Sequence, residues 1–431
     1  MEFKSYKIKD IGDVVTGFTP SKKEKDLYGV TFPFVTPSDI SDSKYVVTKR
    51  FLDKKAISKK EKKICPKNSV GISCIGSDLG KAFFILEESF TNQQINTVTN
   101  IKENFDSEYI YYKLKTLRDY FHRIADGSTM PIINKSKFEN LSLEIPLLKN
   151  QKKISSILSL LDNKIEINNK IVSNLEELTQ TLFKRWFVDF EFPDENGNPY
   201  KSSGGEMVDS ELGKIPKLWT KSILGNYIDL DKGLSYKGKF LDKKNEIKES
   251  IPMLSLSNFK FFSGFKNEKT KYYFGDYKDK HKVKAGDIII AATDLTQDRK
   301  MLGAPALVPN LNKNMIYSLD VFKVKETTIP KFVLYFLMQT KKYREFVEGS
   351  ATGTTVIRIS KSIILKVPIV IDLNIAYKFD EKIKRYMDKI EKLNKENEIL
   401  VELRDTLLPK LMSGELEVPD DIEVNVDELS V

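Results

Sequence analysis

The chain has 431 residues, of which 40% are hydrophobic and 30% are charged. This length and composition exclude a disordered polymer and allow two or three domains, each with a core of its own. Nothing near the N-terminus resembles a signal peptide, and no apolar run approaches the roughly 20 residues that span a bilayer. We therefore expect an intracellular, cytoplasmic protein with no membrane partner.

The net charge of +9 is unevenly distributed along the chain. The last 21 residues contain seven acids and no lysine or arginine, so the rest of the chain carries +16. Such a basic charge on the rest of the chain is compatible with a polyanionic partner. Neutralising phosphates releases condensed counterions, and this release favours binding. A solvated, lysine-rich surface is the other interpretation.

Cysteine and histidine are scarce, with only Cys65, Cys74, His122 and His281. At these positions they match no zinc-site pattern, and two cysteines form no disulfide framework, so we expect no metal site in this chain. Both cysteines lie in or beside the apolar segment ICPKNSVGISCIG, which is typical of a buried strand. We predict that both are reduced packing residues.

Residues 1–149 are predicted to form the first of two mixed α/β globules. Short alternating or β-branched stretches, broken by Gly, Pro, Asn and Ser, indicate strands and turns. A short amphipathic helix, SEYIYYKLKTLRDYFHRI, follows them. After it come a Gly-Ser turn and a strand that ends in Ile145-Pro146.

Residues 150–190 are predicted to form a central long helix that acts as a spacer. Apolar residues recur at a spacing of three and four, in the narrow stripe that is typical of a coiled-coil seam. We assign to this seam Ile154, Leu161, Asn168, Leu175 and Leu182.

Residues 191–373 are predicted to contain a linker and a second globule of the same plan. The linker, FPDENGNPYKSSGGEMVDSELGKIPKLW, is rich in Gly, Pro, Ser and acids. Blocks of the first half then return in the same order. FPFVTPSDI matches IPMLSLSNF, and GSTMPIINKSKFENLSLEIP matches GTTVIRISKSIILKVP. The chain therefore contains an internal repeat.

Residues 374–414 are predicted to form a second long helix, followed by an acidic tail at 415–431 that we expect to be flexible. The stretch LVELRDTLLPKLM repeats LEELTQTLFKRWF of the first helix at an offset of 225 residues. We assign to the second seam Ile383, Ile390, Asn397, Leu400 and Leu407.

Asn168 and Asn397 are the polar members of the two seams. A polar seam residue lowers stability but selects register, so we expect these two to lie near each other across an antiparallel pair. Contact of each with solvent at a loosened turn is the alternative.

Both long helices end in clusters of large apolar residues. We predict that each cluster packs against the globule of the opposite half and the base of the other helix; a partner-docking surface is the alternative. The clusters are Leu178, Leu182, Phe183, Trp186 and Phe187 in the first helix, and Leu403, Leu407, Leu408, Leu411 and Met412 in the second.

No catalytic motif in the sequence is complete. GSDLGKA resembles a phosphate-binding loop, but its glycines are too close together and Ala82 stands where a Mg²⁺-binding hydroxyl is needed. Asn198-Pro199-Tyr200 resembles the base-holding element of adenine methyltransferases, but it lacks the second proline and lies in a polar linker. We therefore do not expect this chain alone to be an enzyme.

The chain resembles the specificity subunit of type I restriction-modification enzymes almost from end to end. The residues that carry the resemblance are the central block QKKISSILSLLDNKIEINNKIVSNLEELTQTLFKRWFVDF, the linker FPDENGNPYKSSGGEMVDSELGKIP after it, and the closing LRDTLLPKLMSGELEV.

This resemblance implies an α+β fold with two pseudo-repeated mixed α/β target-recognition domains joined by two long antiparallel coiled-coil helices. Each domain would read one half of a split site in double-stranded DNA. Two modification (methyltransferase) subunits would dock on the long helices, including the central helix at 150–190, and restriction (translocase/nuclease) subunits would be further partners. S-adenosylmethionine, ATP and Mg²⁺ would belong to those partners, with no cofactor in this chain.

The helix length suits a spacer between two readers of DNA. A helix of about 37 residues is about 55 Å long, whereas DNA advances about 34 Å per turn. We expect two globules at the ends of such a spacer to meet DNA more than one turn apart.

DNA contacts are expected from loop residues that can pair with base edges or phosphates. In the first half the candidates are Lys22, Lys23, Thr36, Ser38, Ser77, Lys81, Gln93, Gln94 and Ser128. In the second half they are Lys237, Lys239, Ser257, Asn258, Thr293, Gln297, Arg299 and Lys300. The stretch TDLTQDRK is the most attractive, because it combines both residue types after an apolar strand.

Two other functions remain open from the sequence. A non-catalytic protein-protein scaffold, with two globules on a coiled-coil spacer, would have the same architecture. A self-sufficient DNA enzyme would transfer methyl groups or cleave DNA without partners.

Overall fold

A computed structural model describes the chain over residues 1–21, 23–125, 131–242, 245–267, 270–296, 298–311, 313–353 and 356–419. The predicted Lys22, Ser128 and Gln297 lie outside these residues, as does the acidic tail beyond residue 419. The described chain packs as two units. The first comprises residues 1–171 and the described residues from 393 onward, and the second comprises residues 172–392.

The described part of the first unit is built on three sheets and several short helices. Its strands are Phe3–Lys7, Asp13–Thr16, Tyr28–Val35, Phe51–Leu52, Ile64–Cys65, Val70–Ser73, Ala82–Phe84, Ser89–Thr91, Ile95–Thr99 and Ser142–Pro146. Its α-helices are Ile8–Ile11, Lys55–Lys60, Ser107–Thr116, Arg118–Ile124, Lys135–Glu139 and the beginning of Leu148–Phe187. The first and last strands of this set pair antiparallel.

The second unit repeats this plan. Its strands are Met207–Val208, Ile215–Pro216, Thr220–Ile223, Ile228–Lys232, Leu241–Asp242, Ile251–Leu254, Lys271–Tyr273, Lys282–Val283, Ile288–Ala291, Thr293–Asp294, Pro305–Leu307, Met315–Tyr317, Val321–Thr327, Ile357–Arg358 and Pro368–Ile371. Its α-helices are Lys331–Leu337, Lys341–Gly349, Lys361–Leu365 and the beginning of Leu373–Ser413. An antiparallel pair of strands, Thr220–Ile223 with Pro368–Ile371, again joins its two ends.

Corresponding four-stranded antiparallel sheets lie in the two units. The first has the order Asp13–Thr16, Ile95–Thr99, Val70–Ser73 and Ala82–Phe84. The second has the order Ile228–Lys232, Val321–Thr327, Ile288–Ala291 and Pro305–Leu307. The internal repeat in the sequence is therefore a repeat of strand order.

The two long helices, Leu148–Phe187 and Leu373–Ser413, run antiparallel where they meet within each unit. In the first unit an Asp162–Arg404 ion pair and an Asn168–Asn397 hydrogen bond join them, so the residue number rises in one helix as it falls in the other. Of the seam residues assigned from the sequence, the buried ones are Ile154, Asn168, Ile383, Ile390 and Asn397. The half-buried ones are Leu161, Leu175, Leu182, Leu400 and Leu407.

The helix ends enter the cores of the globules. Phe183 and Trp186 belong to the core of the second unit, where they contact Phe379 of the second long helix. Leu408 and Leu411 belong to the core of the first unit. These apolar ends therefore anchor each helix to the opposite half of the chain.

The prediction that the apolar clusters at the helix ends pack against the globules was wrong for Leu178 and Leu403, which are exposed. Each residue of an α-helix is turned by about 100° from the one before it. With Thr179 and Arg404 buried at the seam, the residue before each of them points outward. Leu178 and Leu403 are repeat partners, so the same rotation explains both.

The asparagine pair offers a stability test in the first unit. Asn168 Nδ2 donates to Asn397 Oδ1 at 2.9 Å, and Asn397 Nδ2 donates to Asn169 Oδ1 at 2.9 Å. Asn397→Val alone strands the buried Asn168 amide and is expected to lower the free energy of unfolding by about 1–3 kcal/mol. Urea denaturation followed by far-UV circular dichroism measures this loss.

The matched control replaces each asparagine by the residue at the repeat-equivalent position of the other long helix, which is Leu393 for Asn168 and Val172 for Asn397. The double variant is therefore Asn168→Leu with Asn397→Val. Replacing both partners by apolar groups is close to neutral or stabilising, so the double variant should regain the lost stability. A double variant no more stable than the single one would contradict this account of the pair.

Cys65 and Cys74 are buried and free, as predicted for packing residues. Burial raises the pKa of each thiol to about 11, so both stay protonated at neutral pH. Across the described residues, no helix combines the length and the apolar character needed to cross a membrane.

Candidate nucleic-acid interface

Four loops of the first unit meet at one edge of its antiparallel sheet. Asn92 N–H donates to Val35 O at 2.9 Å, and Cys74 N–H donates to Gln94 O at 2.9 Å. These bonds join the loop after Tyr28–Val35 to the loops that flank the other strands. We call this the first loop edge; its described residues are 17–21, 36–38, 74–81 and 92–94.

The second unit forms the same arrangement with equivalent hydrogen bonds. Ser318 N–H donates to Leu254 O at 2.8 Å, and Ala292 N–H donates to Asp320 O at 2.8 Å. We call this the second loop edge; its described residues are 233–239, 255–258, 292–296, 298–302 and 318–320.

At each loop edge, a glycine allows two segments of the backbone to pass very close to each other. A Cβ atom on Gly17 would lie 2.1 Å from Thr91 O, and one on Gly233 would lie 2.1 Å from Ser318 O. No other residue type avoids this overlap, so the sequence places Gly at both positions.

A turn of the same design follows the crossing in each half. Thr36 N–H donates to the Asp39 carboxylate at 2.8 Å, and Ser255 N–H donates to Asn258 Oδ1 at 2.9 Å. Both turns are short 3₁₀ helices closed by reciprocal side-chain caps. The repeat FPFVTPSDI and IPMLSLSNF therefore encodes this turn.

Two of the residues predicted to contact DNA are buried. Asn258 is 0% exposed, and its amide donates to Lys266 O and Thr270 Oγ1. Thr293 is 4% exposed and sits in a strand pair with Arg358. Neither side chain is accessible to a base edge, so we correct the prediction for these two and assign them to the framework.

Other residues predicted in the first half to contact DNA are accessible. Lys23, Ser38, Ser77 and Gln93 are exposed. The remaining predicted residues there are Thr36, Lys81 and Gln94, which are half-buried. Lys81 Nζ pairs with Asp78 at 2.8 Å.

The second loop edge presents several cations. Lys237 and Lys239 are exposed, whereas Arg299, Lys300 and Ser257 are half-buried. Lys300 Nζ pairs with Asp298 at 2.8 Å.

Sequence reasoning missed Arg50 at the first loop edge. Its guanidinium donates to Thr36 Oγ1, lies 3.4 Å from Ser38 Oγ and pairs with Asp39 at 3.3 Å. Arg50 is far from the turn along the chain, so no local spacing signals this contact. Its half-exposed cation adds a phosphate-binding or base-reading group to the turn.

The described residues contain no group of three or more His, Cys, Asp or Glu side chains arranged to hold a metal ion. The polar side chains at the two edges are mainly serine, threonine, lysine and aspartate, with Gln93, Gln94 and Arg299 among the rest. This set suits hydrogen bonding to phosphates and base edges. The two units thus present two similar polar loop edges on a repeated fold.

Comparison with known proteins finds similarity to one family. Residues 1–177 match the model of the type I restriction modification DNA specificity domain. The chain is 28% identical over 426 residues to the MjaIX specificity subunit, a type I restriction enzyme component of Methanocaldococcus jannaschii, covering 96% of this chain and 93% of the relative. It is 25% identical over 349 residues to the HindI specificity subunit of Haemophilus influenzae, covering 69% and 74%.

A solved structure shares the fold. The crystal structure of the type I restriction-modification S subunit from M. genitalium superposes with a TM-score of 0.58 at 15% identity, covering 98% of this chain and 97% of that one. The chain is therefore similar over nearly its whole length to type I restriction-modification specificity subunits. These matches support a DNA-specificity role.

Proposed function

We propose that this chain reads a split DNA site, one half at each loop edge, and directs adenine methylation and restriction by partner subunits. The observation that carries the proposal is the repeated construction of the two edges, with the same glycine crossing and the same capped turn. Loop sequences on this shared frame differ, so the two edges would read different bases.

The contacts we propose come from the accessible predicted residues and Arg50. Exposed and half-exposed cations would neutralise phosphates, while glutamine, serine and threonine side chains would reach base edges. The proposed set is Lys23, Thr36, Ser38, Arg50, Ser77, Lys81, Gln93, Gln94, Lys237, Lys239, Ser257, Arg299 and Lys300.

The chemistry is proposed to belong to partner chains. Two modification subunits would bind S-adenosylmethionine and methylate adenine, and restriction subunits would use ATP and Mg²⁺. The complex would work in the cytoplasm, where the DNA of a prokaryotic host lies.

The salt dependence of binding tests the electrostatic part of this proposal. Lys237→Gln with Lys239→Gln should weaken binding of the assembled complex to every duplex. The slope of log K against log[salt] should fall by about 1 for each phosphate that the variant no longer neutralises. Fluorescence anisotropy at several salt concentrations measures the slope.

Lys221→Gln is the matched control, because Lys221 is exposed on the strand Thr220–Ile223, outside the loop edge. It should leave the slope unchanged. Equal slopes for the double variant and the control would remove these two lysines from the interface.

A further inference from the structure

The second loop edge contains a loop that is held by buried charged side chains as well as by its own backbone. In the first half, the equivalent loop is short and closes on itself, since Gly80 N–H donates to Ser73 O at 2.9 Å. The second-half loop, between Ala291 and Pro305, closes with the equivalent bond from Gly303 N–H to Ala291 O at 2.8 Å, but it is longer and is also bonded to buried charged side chains.

Asp294 fixes the first part of this loop. It is 1% exposed, and its carboxylate accepts hydrogen bonds from Thr296 N–H at 2.8 Å and from the Thr296 hydroxyl at 2.8 Å. Its other oxygen accepts from Met301 N–H at 2.7 Å. One carboxylate thus ties together the two sides of the loop.

Arg344, on the helix Lys341–Gly349, fixes the last part. It is 8% exposed, and its guanidinium donates to Leu302 O at 2.5 Å and to Arg299 O at 2.9 Å. It also pairs with Glu348 at 2.7 Å. A planar guanidinium can hold several carbonyl oxygens in fixed directions, which a lysine ammonium cannot do in the same way.

The backbone around Arg344 is in an unfavourable conformation. Arg299 has φ +51° and Phe262 has φ +69°, both in the left-handed region that a bulky side chain disfavours. Phe262 N–H donates to Lys300 O at 2.8 Å, and its ring centroid lies 5.5 Å from the Arg344 guanidinium. Strained backbone persists only where its surroundings enforce it, and it concentrates at functional sites.

The fixed loop holds an apolar side chain outward. Leu295 is 69% exposed, although it directly follows the buried Asp294. An exposed apolar side chain beside polar ones suits contact with a thymine methyl group in the major groove.

We propose that Arg344 and Asp294 are positioning residues that hold the described loop residues 294–296 and 298–302 in the shape that reads the second half of the DNA site. The proposal rests on the proposed function. Arg344 and Asp294 would act through the loop without touching DNA.

The test uses the full chain co-expressed with its cognate modification subunit, with methylated adenines in the host DNA mapped by sequencing. Arg344→Lys keeps the charge but loses the guanidinium fork, and Asp294→Asn perturbs the loop from its other end. For each variant we expect discrimination at one or more second-half positions to fall by about tenfold, while the first half of the motif stays unchanged. Lys341→Met is the matched control, since Lys341 is an exposed cation on the same helix that pairs with Glu345.

The first half of the methylated motif is an internal control. A general loss of stability would affect recognition of both halves, whereas a change in the loop would affect the second half alone. The wild-type motif in both halves for both variants would overturn the proposal, and so would an equal loss of both halves. Failure of the proposed function looks different, because the wild-type chain itself would then give no split motif.

Discussion

Arg404→Met is expected to lower the free energy of unfolding of the first unit by about 3–5 kcal/mol, because it leaves a buried carboxylate without its cation. Arg404 Nη1 donates to Asp162 Oδ1 at 2.7 Å, and both side chains are almost fully buried. Burial disfavours the Arg404 cation, but the charge and hydrogen bond of Asp162 outweigh it and raise the Arg404 pKa above its usual value.

The same carboxylate joins the helix pair to the globule. Tyr112 Oη donates to Asp162 Oδ2 at 2.6 Å, and burial, followed by the Asp162 charge, raises the Tyr112 pKa well above its usual value. The hydroxyl therefore remains protonated and keeps donating. Nearby, the buried Lys44 Nζ donates to Glu108 at 2.6 Å and to Ser159 at 2.9 Å. The first globule thus sits on the first long helix through a polar network.

The internal repeat supplies the control for Arg404→Met. The repeat partners of Asp162 and Arg404 are Met387 and Thr179, an uncharged pair. Asp162→Met with Arg404→Thr removes both charges and should recover at least half of the lost stability. Hydrogen exchange of the amides in Ser107–Thr116 follows the first unit directly. A loss below about 1 kcal/mol for Arg404→Met would contradict the ion pair's assigned role.

Phe379→Ala is expected to lower the stability of the second unit by about 3–5 kcal/mol. Phe379 is 0% exposed, and its ring centroid lies 5.4 Å from that of Trp186 and 5.3 Å from that of Phe187. Truncation therefore leaves a cavity where the end of the first long helix enters the core. Both tryptophans of the chain, Trp186 and Trp219, lie in this unit, so urea denaturation followed by tryptophan fluorescence reports on it alone.

Phe379→Ile is the matched substitution, because the repeat partner Ile154 fills the equivalent place in the first unit. It should lose roughly half as much stability, since a smaller cavity remains. If Phe379→Ala shifted the fluorescence transition by no more than Phe379→Ile, the aromatic cluster would not be the anchor of the first long helix.

The sequence predicted the repeat, the two globules and the two long helices because those features depend on period and pattern. Apolar residues at a spacing of three and four identify a helix seam, and preserved block order identifies a repeated strand order. The predicted division of the chain into residues 1–149, 150–190, 191–373, 374–414 and 415–431 remains a prediction. The packed units instead divide the long helices themselves, with boundaries at residues 171 and 392.

The polar part of the helix seam could not be predicted in the same way. Asp162 and Arg404 read as residues of a solvated helix face, and only their pairing across two helices permits their burial. Asn258 was a plausible base reader by residue type, but the capped turn that buries it is defined by its contacts with Ser255 and Thr270. Arg50 and Arg344 were missed because their partners are distant in sequence.

The central claim is that each half of the chain reads its own half of a DNA site. The most direct test co-expresses the chain with its cognate modification subunit and maps methylated adenines in the host DNA, before and after residues 1–145 are exchanged for another such domain. The donor domain should keep the equivalents of Lys44, Glu108 and Tyr112, so that it still fits the first long helix. We predict a single asymmetric motif, with two defined halves around a fixed unspecified gap, in which the exchange changes one half alone. A stable complex that binds DNA but leaves no methylated motif, or an exchange that alters both halves, would contradict the account.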